Sequence, residues 1–337
     1  MTVLPPAALS LRGLASEAWS AGIAVEDFMI PSGDPGIELF IRNKHPEGAL
    51  SRDKILLYVH GTSQAAEATF DLRLDGLSWM DYLVRHGWDV WLVDLRGYGR
   101  STRPPEMLAP AEANPPIVTT DVALRDFGAA VEFVRKRRGV EALSIMGWSW
   151  GTVIVGTFAA RNGGAVRSLV LNAPAWLRPP PAGALPPLGA YQTWTVEQAQ
   201  RNLQTGAPED ERAGLMPAEW FAAWKAAALA TDPAGARQDP PVVRSPNGAP
   251  ADSRAYWQSG RPYYDPGQIT APTLIVHGEW DGLLPLSMAV AVFEQLAKAP
   301  RKRLVEIGEG THLLMLERNR MQLFHEVQLF LDEPQEA

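Results

Sequence analysis

Short β-rich runs alternate with helical periodicity at both ends of this chain, and that alternation restricts the possible folds more than any other feature. Strands are predicted at 23–30 and 37–43, then at Lys54–His60, Trp88–Asp94, Leu143–Gly147, Val166–Ala173, Thr273–Gly278 and Lys302–Gly308. From the third onward the runs lack polar alternation, the pattern of strands buried on both faces. Between them, Leu124, Phe127, Val131 and Val134 recur at spacings of three and four. They predict a helix over Asp121–Arg138, with Thr120 as its cap and Gly139 closing its end. Strand, helix, strand in this order implies right-handed crossovers and a mostly parallel sheet of eight strands flanked by helices.

Proline marks a segment of another kind. Residues 174–272 hold 16 of the 29 prolines and five of the 12 tryptophans. At 337 residues the chain has room for two average domains or one large α/β domain with an insertion. The second arrangement fits the proline distribution: a core at 1–174 and 267–337, interrupted by a mainly helical cap at 175–266. Helices are predicted there over Glu197–Gln204 and Pro217–Ala230.

Composition narrows the chemistry. The chain has no cysteine, which excludes disulfides, thiolate metal sites and a thiol nucleophile. Its net charge of −7 offers no surface for nucleic acid or an anionic membrane. The basic run Arg135–Arg138 falls in the last turn of a predicted helix, where cations complement the macrodipole. Gly97-Tyr98-Gly99 follows a strand but lacks the third glycine and the helix of a dinucleotide-binding turn, and no metal-ligand spacing occurs. Neither cofactor nor metal is therefore expected, and the expected partner is a small molecule. The first 20 residues carry no basic n-region and are broken by Pro5, Pro6 and Arg12, so a signal peptide is not expected. With no apolar window long enough for a membrane span, no membrane insertion is expected and the expected location is cytoplasmic.

Gly147-Trp148-Ser149-Trp150-Gly151 stands between a buried strand and the apolar stretch Trp150–Arg161. A serine on so sharp a turn is held above the sheet edge, and the flanking glycines remove side chains that would collide. A hydroxyl is a weak nucleophile and needs a base, which in turn needs an orienting acid. Of the six histidines (His45, His60, His86, His277, His312 and His325), only the last two come late enough for the order nucleophile, acid, base. His325 reads as a surface position on the final helix, whereas His312 follows a strand in Gly308-Glu309-Gly310-Thr311-His312. Asp281 in the loop after Thr273–Gly278 is the acid of choice and Glu279 the alternative; Asp94, ahead of Ser149, reads as a loop-fixing residue. Two main-chain donors for a developing oxyanion are expected at Thr62, after His60-Gly61, and at Trp150.

Taken in order, His60-Gly61, Asp94-x-Arg96-Gly97-x-Gly99-x-Ser101, Gly147-x-Ser149-x-Gly151, Asp281 and Gly310-x-His312 resemble the α/β-hydrolase fold family over 23–174 and 267–332. The resemblance implies Ser149 as nucleophile, Asp281 as acid and His312 as base. A serine at that position departs from the family's epoxide hydrolases and haloalkane dehalogenases, which carry aspartate. The Ser-Trp-Gly core also resembles proline iminopeptidases, but His60-Gly61-Thr62-Ser63-Gln64 departs from their His-Gly-Gly-Pro-Gly loop.

These readings lead to a serine hydrolase acting on carboxylic esters of small, largely apolar substrates. Its pocket is expected to be closed by the cap and lined by Gly61, Trp148, Trp176, Trp220 and Trp224. A lactonase, an amide hydrolase or a carbon-carbon bond hydrolase would use the same motifs, and a ligand receptor could keep the scaffold without turnover.

Overall fold

The computed structural model describes residues 22–334; the N-terminal stretch read above for targeting lies outside them. Eight strands form one sheet: β1 (Ile23–Pro31), β2 (Glu38–Pro46), β3 (Ile55–Val59), β4 (Asp89–Val93), β5 (Leu143–Trp148), β6 (Val166–Asn172), β9 (Thr273–Gly278) and β10 (Lys302–Ile307). β7 (Tyr191–Trp194) and β8 (Val243–Pro246) pair separately. The main sheet has the order β1-β2-β4-β3-β5-β6-β9-β10, antiparallel on both sides of β2 and parallel from β4 onward.

Alternation along the central strands explains the layering. Leu57, Val59, Trp91, Val93 and Ile145 point into one apolar layer, and Leu56, Tyr58, Val90, Leu92 and Met146 into the other. The first layer is closed by α2 (Thr120–Arg138), α3 (Trp150–Arg161) and α8 (Leu286–Gln295) through Phe127, Val131, Val153 and Val292. The second is closed by α1 (Trp79–Arg85) and α9 (Arg320–Asp332), where Trp79 stacks on Phe324 at 5.0 Å. No helix among the described residues is long and apolar enough to cross a membrane.

One detail of α2 departs from expectation. Thr119, rather than Thr120, is its N-cap residue, and it makes no side-chain cap. The capping acceptor instead comes from 132 residues away, the Asp252 carboxylate, which receives the Thr120 amide at 2.5 Å. Thr120 Oγ1 meanwhile accepts from Trp150 Nε1 at 2.9 Å. The basic run at the other end of α2 is matched by carboxylates: Arg135 and Lys136 meet Glu132, Arg137 meets Glu26 and Arg138 meets Asp89.

Residues between β6 and β9 form α4 (Val196–Leu203), α5 (Glu209–Leu215), α6 (Ala218–Ala230), α7 (Gly248–Ala255) and the β7-β8 pair. The small sheet and two of these helices were not legible beforehand. α4 opens on a reciprocal capping box between Thr195 and Gln198.

After β4 the chain is held by one buried ion pair. Both carboxylate oxygens of Asp126 on α2 accept from Arg96 Nε, at 3.1 and 3.0 Å, and Oδ2 accepts from the Arg96 amide at 3.1 Å. Asp126 is fully buried, and removing it leaves the buried Arg96 guanidinium with only the part-exposed Asp34, at 2.7 Å, as counter-charge. Asp126→Ala is expected to cost about 3 kcal/mol, read as a lower urea midpoint at unchanged slope; a loss below about 0.5 kcal/mol would contradict the role given to this pair.

Candidate active site

Ser149 stands between β5 and α3 with φ 58° and ψ −122°, a region that L residues rarely occupy. The turn requires main-chain segments to touch. A Cβ on Gly147 would lie 2.3 Å from the Gly151 carbonyl oxygen, and one on Gly151 would lie 2.7 Å from the carbonyl oxygens of both Val59 and His60. Both glycines are therefore steric necessities. The Ser149 amide donates to Asn172 O at 2.9 Å, and its carbonyl receives the Thr152 amide at 2.9 Å and hydroxyl at 2.5 Å. The serine is pinned from both sides.

His312 and Asp281 meet from neighbouring strand ends, β10 and β9. His312 Nδ1 donates to Asp281 Oδ2 at 2.7 Å, with both side chains almost wholly buried. Asp281 Oδ1 accepts from the amides of Leu283 and Leu284 at 3.1 and 2.9 Å. Carboxylate and tautomer are thus both fixed, and Nε2 is left as the acceptor nitrogen of the ring. The alternative acid, Glu279, is engaged elsewhere: its Oε2 accepts from the Glu309 amide at 2.9 Å. His325 is exposed on α9 beside Tyr82.

Ser149 and His312 line one cavity of about 310 Å³, together with Thr62, Trp148 and Trp150. Trp150 is the first residue of α3, where a main-chain N–H has no intrahelical acceptor. The Thr62 loop is braced from behind. Tyr98 Oη donates to Thr62 O at 2.8 Å, and the His60 ring packs 4.4 Å from that of Tyr98.

Expectation and structure part company over the cavity wall. Trp148 and Trp176 line it, joined by Trp194 and Trp257. Trp220 and Trp224 do not: on α6 they turn into the apolar layer shared with α1 and α9. Trp220 Nε1 donates to Asp75 at 3.0 Å, and the Arg320 guanidinium lies 4.4 Å from its ring. Helical spacing marked these two as inward-facing without showing which interior they face. Gly61 also lies behind the wall, where a Cβ would be 3.0 Å from Ser149 Cβ; its function is to permit that approach. Trp148 has a second contact, donating from Nε1 to His312 O at 3.0 Å.

Two residues have supporting roles that their place in the sequence does not reveal. Glu317, buried below the His312 loop, accepts from the Thr311 amide at 3.0 Å, from Thr311 Oγ1 at 2.6 Å and from Gln204 Nε2 at 3.1 Å. Burial raises its carboxyl pKa, against the pull of these donors. One acid thereby ties the His312 loop to the segment between β6 and β9. Its only available signal was its place five residues beyond His312.

His60 is the other. Fully buried, its Nδ1 donates to Gly61 O at 2.7 Å while Nε2 accepts from the Leu95 amide at 3.1 Å. A second ring proton would remove that acceptor, and burial lowers the pKa from 6.5 to about 4. The unfolded chain therefore binds the proton first as pH falls. The stability His60 lends is complete above pH 6.5 and is lost as pH falls toward about 4, amounting to about 3 kcal/mol. Urea titrations at both pH values should show wild type losing about that much more than a His60→Gln variant; equal losses would refute a neutral structural His60.

Comparison with known proteins agrees with this architecture. Residues 54–319 match the model of the alpha/beta hydrolase fold family. A probable lysophospholipase of Arabidopsis thaliana, BODYGUARD 3, is 26% identical over 157 residues, 46% of this chain and 28% of that protein, so the chain spans under a third of that relative's length. Among solved structures, a serine hydrolase involved in carbazole degradation (CarC) superposes with a TM-score of 0.61 at 18% identity, over 91% of this chain and 99% of its own. A bromoperoxidase from Bacillus anthracis gives 0.63 at 18% identity, over 91% of this chain and 100% of its own. Est1E of Butyrivibrio proteoclasticus, bound to ferulic acid, gives 0.55 at 18% identity, over 90% and 97%. The sheet order, the strained Ser149 turn and the family match over most of the chain lead to one conclusion: this chain belongs to the alpha/beta hydrolase fold family.

Proposed function

We propose that the chain is a serine hydrolase that cleaves carboxylic esters of small, largely apolar compounds through an acyl-enzyme. The observation that carries this reading is the buried Asp281–His312 contact, at 2.7 Å, whose His312 shares a tryptophan-lined cavity with a serine held at positive φ.

In this reading Ser149 Oγ attacks the ester carbonyl while His312 Nε2 takes its proton. Asp281 holds the imidazole in its tautomer and stabilises the imidazolium that forms. The amides of Thr62 and Trp150 stabilise the oxyanion, each worth roughly 3 kcal/mol of barrier. Collapse of the tetrahedral intermediate breaks the ester C–O bond, and the imidazolium protonates the departing alcohol. Water, deprotonated by His312, then releases the acid and restores Ser149. The segment 175–266 is the cap over this cavity. Its Trp176, Trp194 and Trp257 supply the apolar wall that holds the substrate and keeps bulk water away.

Ser149→Ala is expected to abolish covalent labelling by a fluorophosphonate probe and to lower hydrolysis of 4-nitrophenyl hexanoate by about 10⁴-fold or more. Labelling or turnover that survives the substitution would place the nucleophile elsewhere.

A further inference from the structure

We propose that the cavity takes an anionic substrate, an apolar chain or ring bearing a carboxylate, with Arg178 as its principal anchor and Arg254 as a second cation. This names the substrate class for the serine hydrolase read above and rests on that reading.

Two arginines, Arg178 and Arg254, line the cavity, and among its described lining residues there is neither Asp nor Glu. That imbalance runs against the molecule, whose net charge is −7. Elsewhere in the fold, Arg320 and Arg212 at least donate to carbonyl oxygens, of Leu74 and Ala207, and Arg42, Arg138 and Arg244 meet the carboxylates of Asp27, Asp89 and Asp232. Arg178 does neither. Its amide donates to Trp257 O at 3.2 Å, which sets the residue beside an aromatic wall of the cavity. Its guanidinium has no hydrogen bond or ion pair to any described residue. Arg254 donates to the neutral Pro186 carbonyl at 2.6 Å, so its charge is not cancelled.

A half-buried guanidinium is costly to keep unpaired, and its planar fork matches a carboxylate. The acid nearest the chemistry, Asp281, is committed to His312 and two amides and is withheld from the cavity. Neighbouring tryptophans supply apolar faces. A cationic, acid-free pocket in an acidic protein concentrates small organic anions by field focusing. Together these features select a substrate with one apolar and one carboxylate end.

The test compares 4-nitrophenyl hydrogen suberate with its methyl ester, a substrate pair differing by one charge remote from the scissile bond. Wild type is expected to favour the acid in kcat/KM by on the order of tenfold, with the preference shrinking as salt is raised. Arg178→Gln should remove most of that ratio and Arg178→Lys should retain part of it. In parallel, the Ser149→Ala protein is titrated with octanoate and octanamide by tryptophan fluorescence. Octanoate should bind more tightly, and Arg178→Gln in that background should erase the difference. Equal handling of acid and methyl ester, or a preference that Arg178→Gln leaves intact, overturns the anion site while ester hydrolysis stands. Hydrolysis of neither ester, with octanoate still favoured over octanamide, overturns the ester-hydrolase reading and leaves the anion site in place.

Discussion

The site depends on how closely three pieces of main chain approach one another where β3, β5 and α3 meet. Gly151 rests against the carbonyls that end β3, and Gly147 rests against Gly151. That contact forces Ser149 into a positive φ and aims the first turn of α3 at the cavity. Everything else is arranged around this turn. Strand β3 must end beside it for the Thr62 loop to face Ser149, and β6 must end beside it for Asn172 O to receive the serine amide. A parallel sheet brings these ends to one edge, which is why the loops after β3, β5, β9 and β10 share a cavity although they are distant in sequence.

Polar ties then join the segment between β6 and β9 to the edge it covers. Glu317 links Gln204 to Thr311, and the Gly282 amide donates to Thr205 O at 2.7 Å, so that segment touches the loops of both His312 and Asp281. Asp252 caps α2 from the same segment. Directional bonds of this kind fix orientation where apolar packing alone would tolerate sliding. Buried groups behind the cavity have a matching role. His60 is kept neutral by burial, and Asp94 receives the amides of Ala66 and Arg100, so each holds a loop and neither faces the substrate space.

Much of this was legible in residue order. Runs such as Lys54–His60 and Thr273–Gly278 identified strands to within a residue or two, because a strand buried on both faces admits few polar side chains. Gly147 and Gly151 marked the turn, because no other residue fits where backbone meets backbone. The tryptophans of α6 show the limit. Periodicity reports that a side chain is inward, and Trp220 and Trp224 are inward, but the helix faces the layer around Phe324 rather than the cavity. The N-terminus of α2 shows another. Thr120 had the composition of a cap, yet the acceptor came from Asp252, a contact with no local trace.

Local rules therefore determined the strands, the helices, the Gly147–Gly151 turn and the glycine-bearing loop of His312, since each follows from the sterics and hydration of neighbouring residues. Which acid meets His312, which tryptophans line the cavity and which arginines are left without a carboxylate are relations between segments tens to hundreds of residues apart. Only the folded sheet decided them, because distance in space, rather than distance along the chain, sets the strength of a hydrogen bond or a charge.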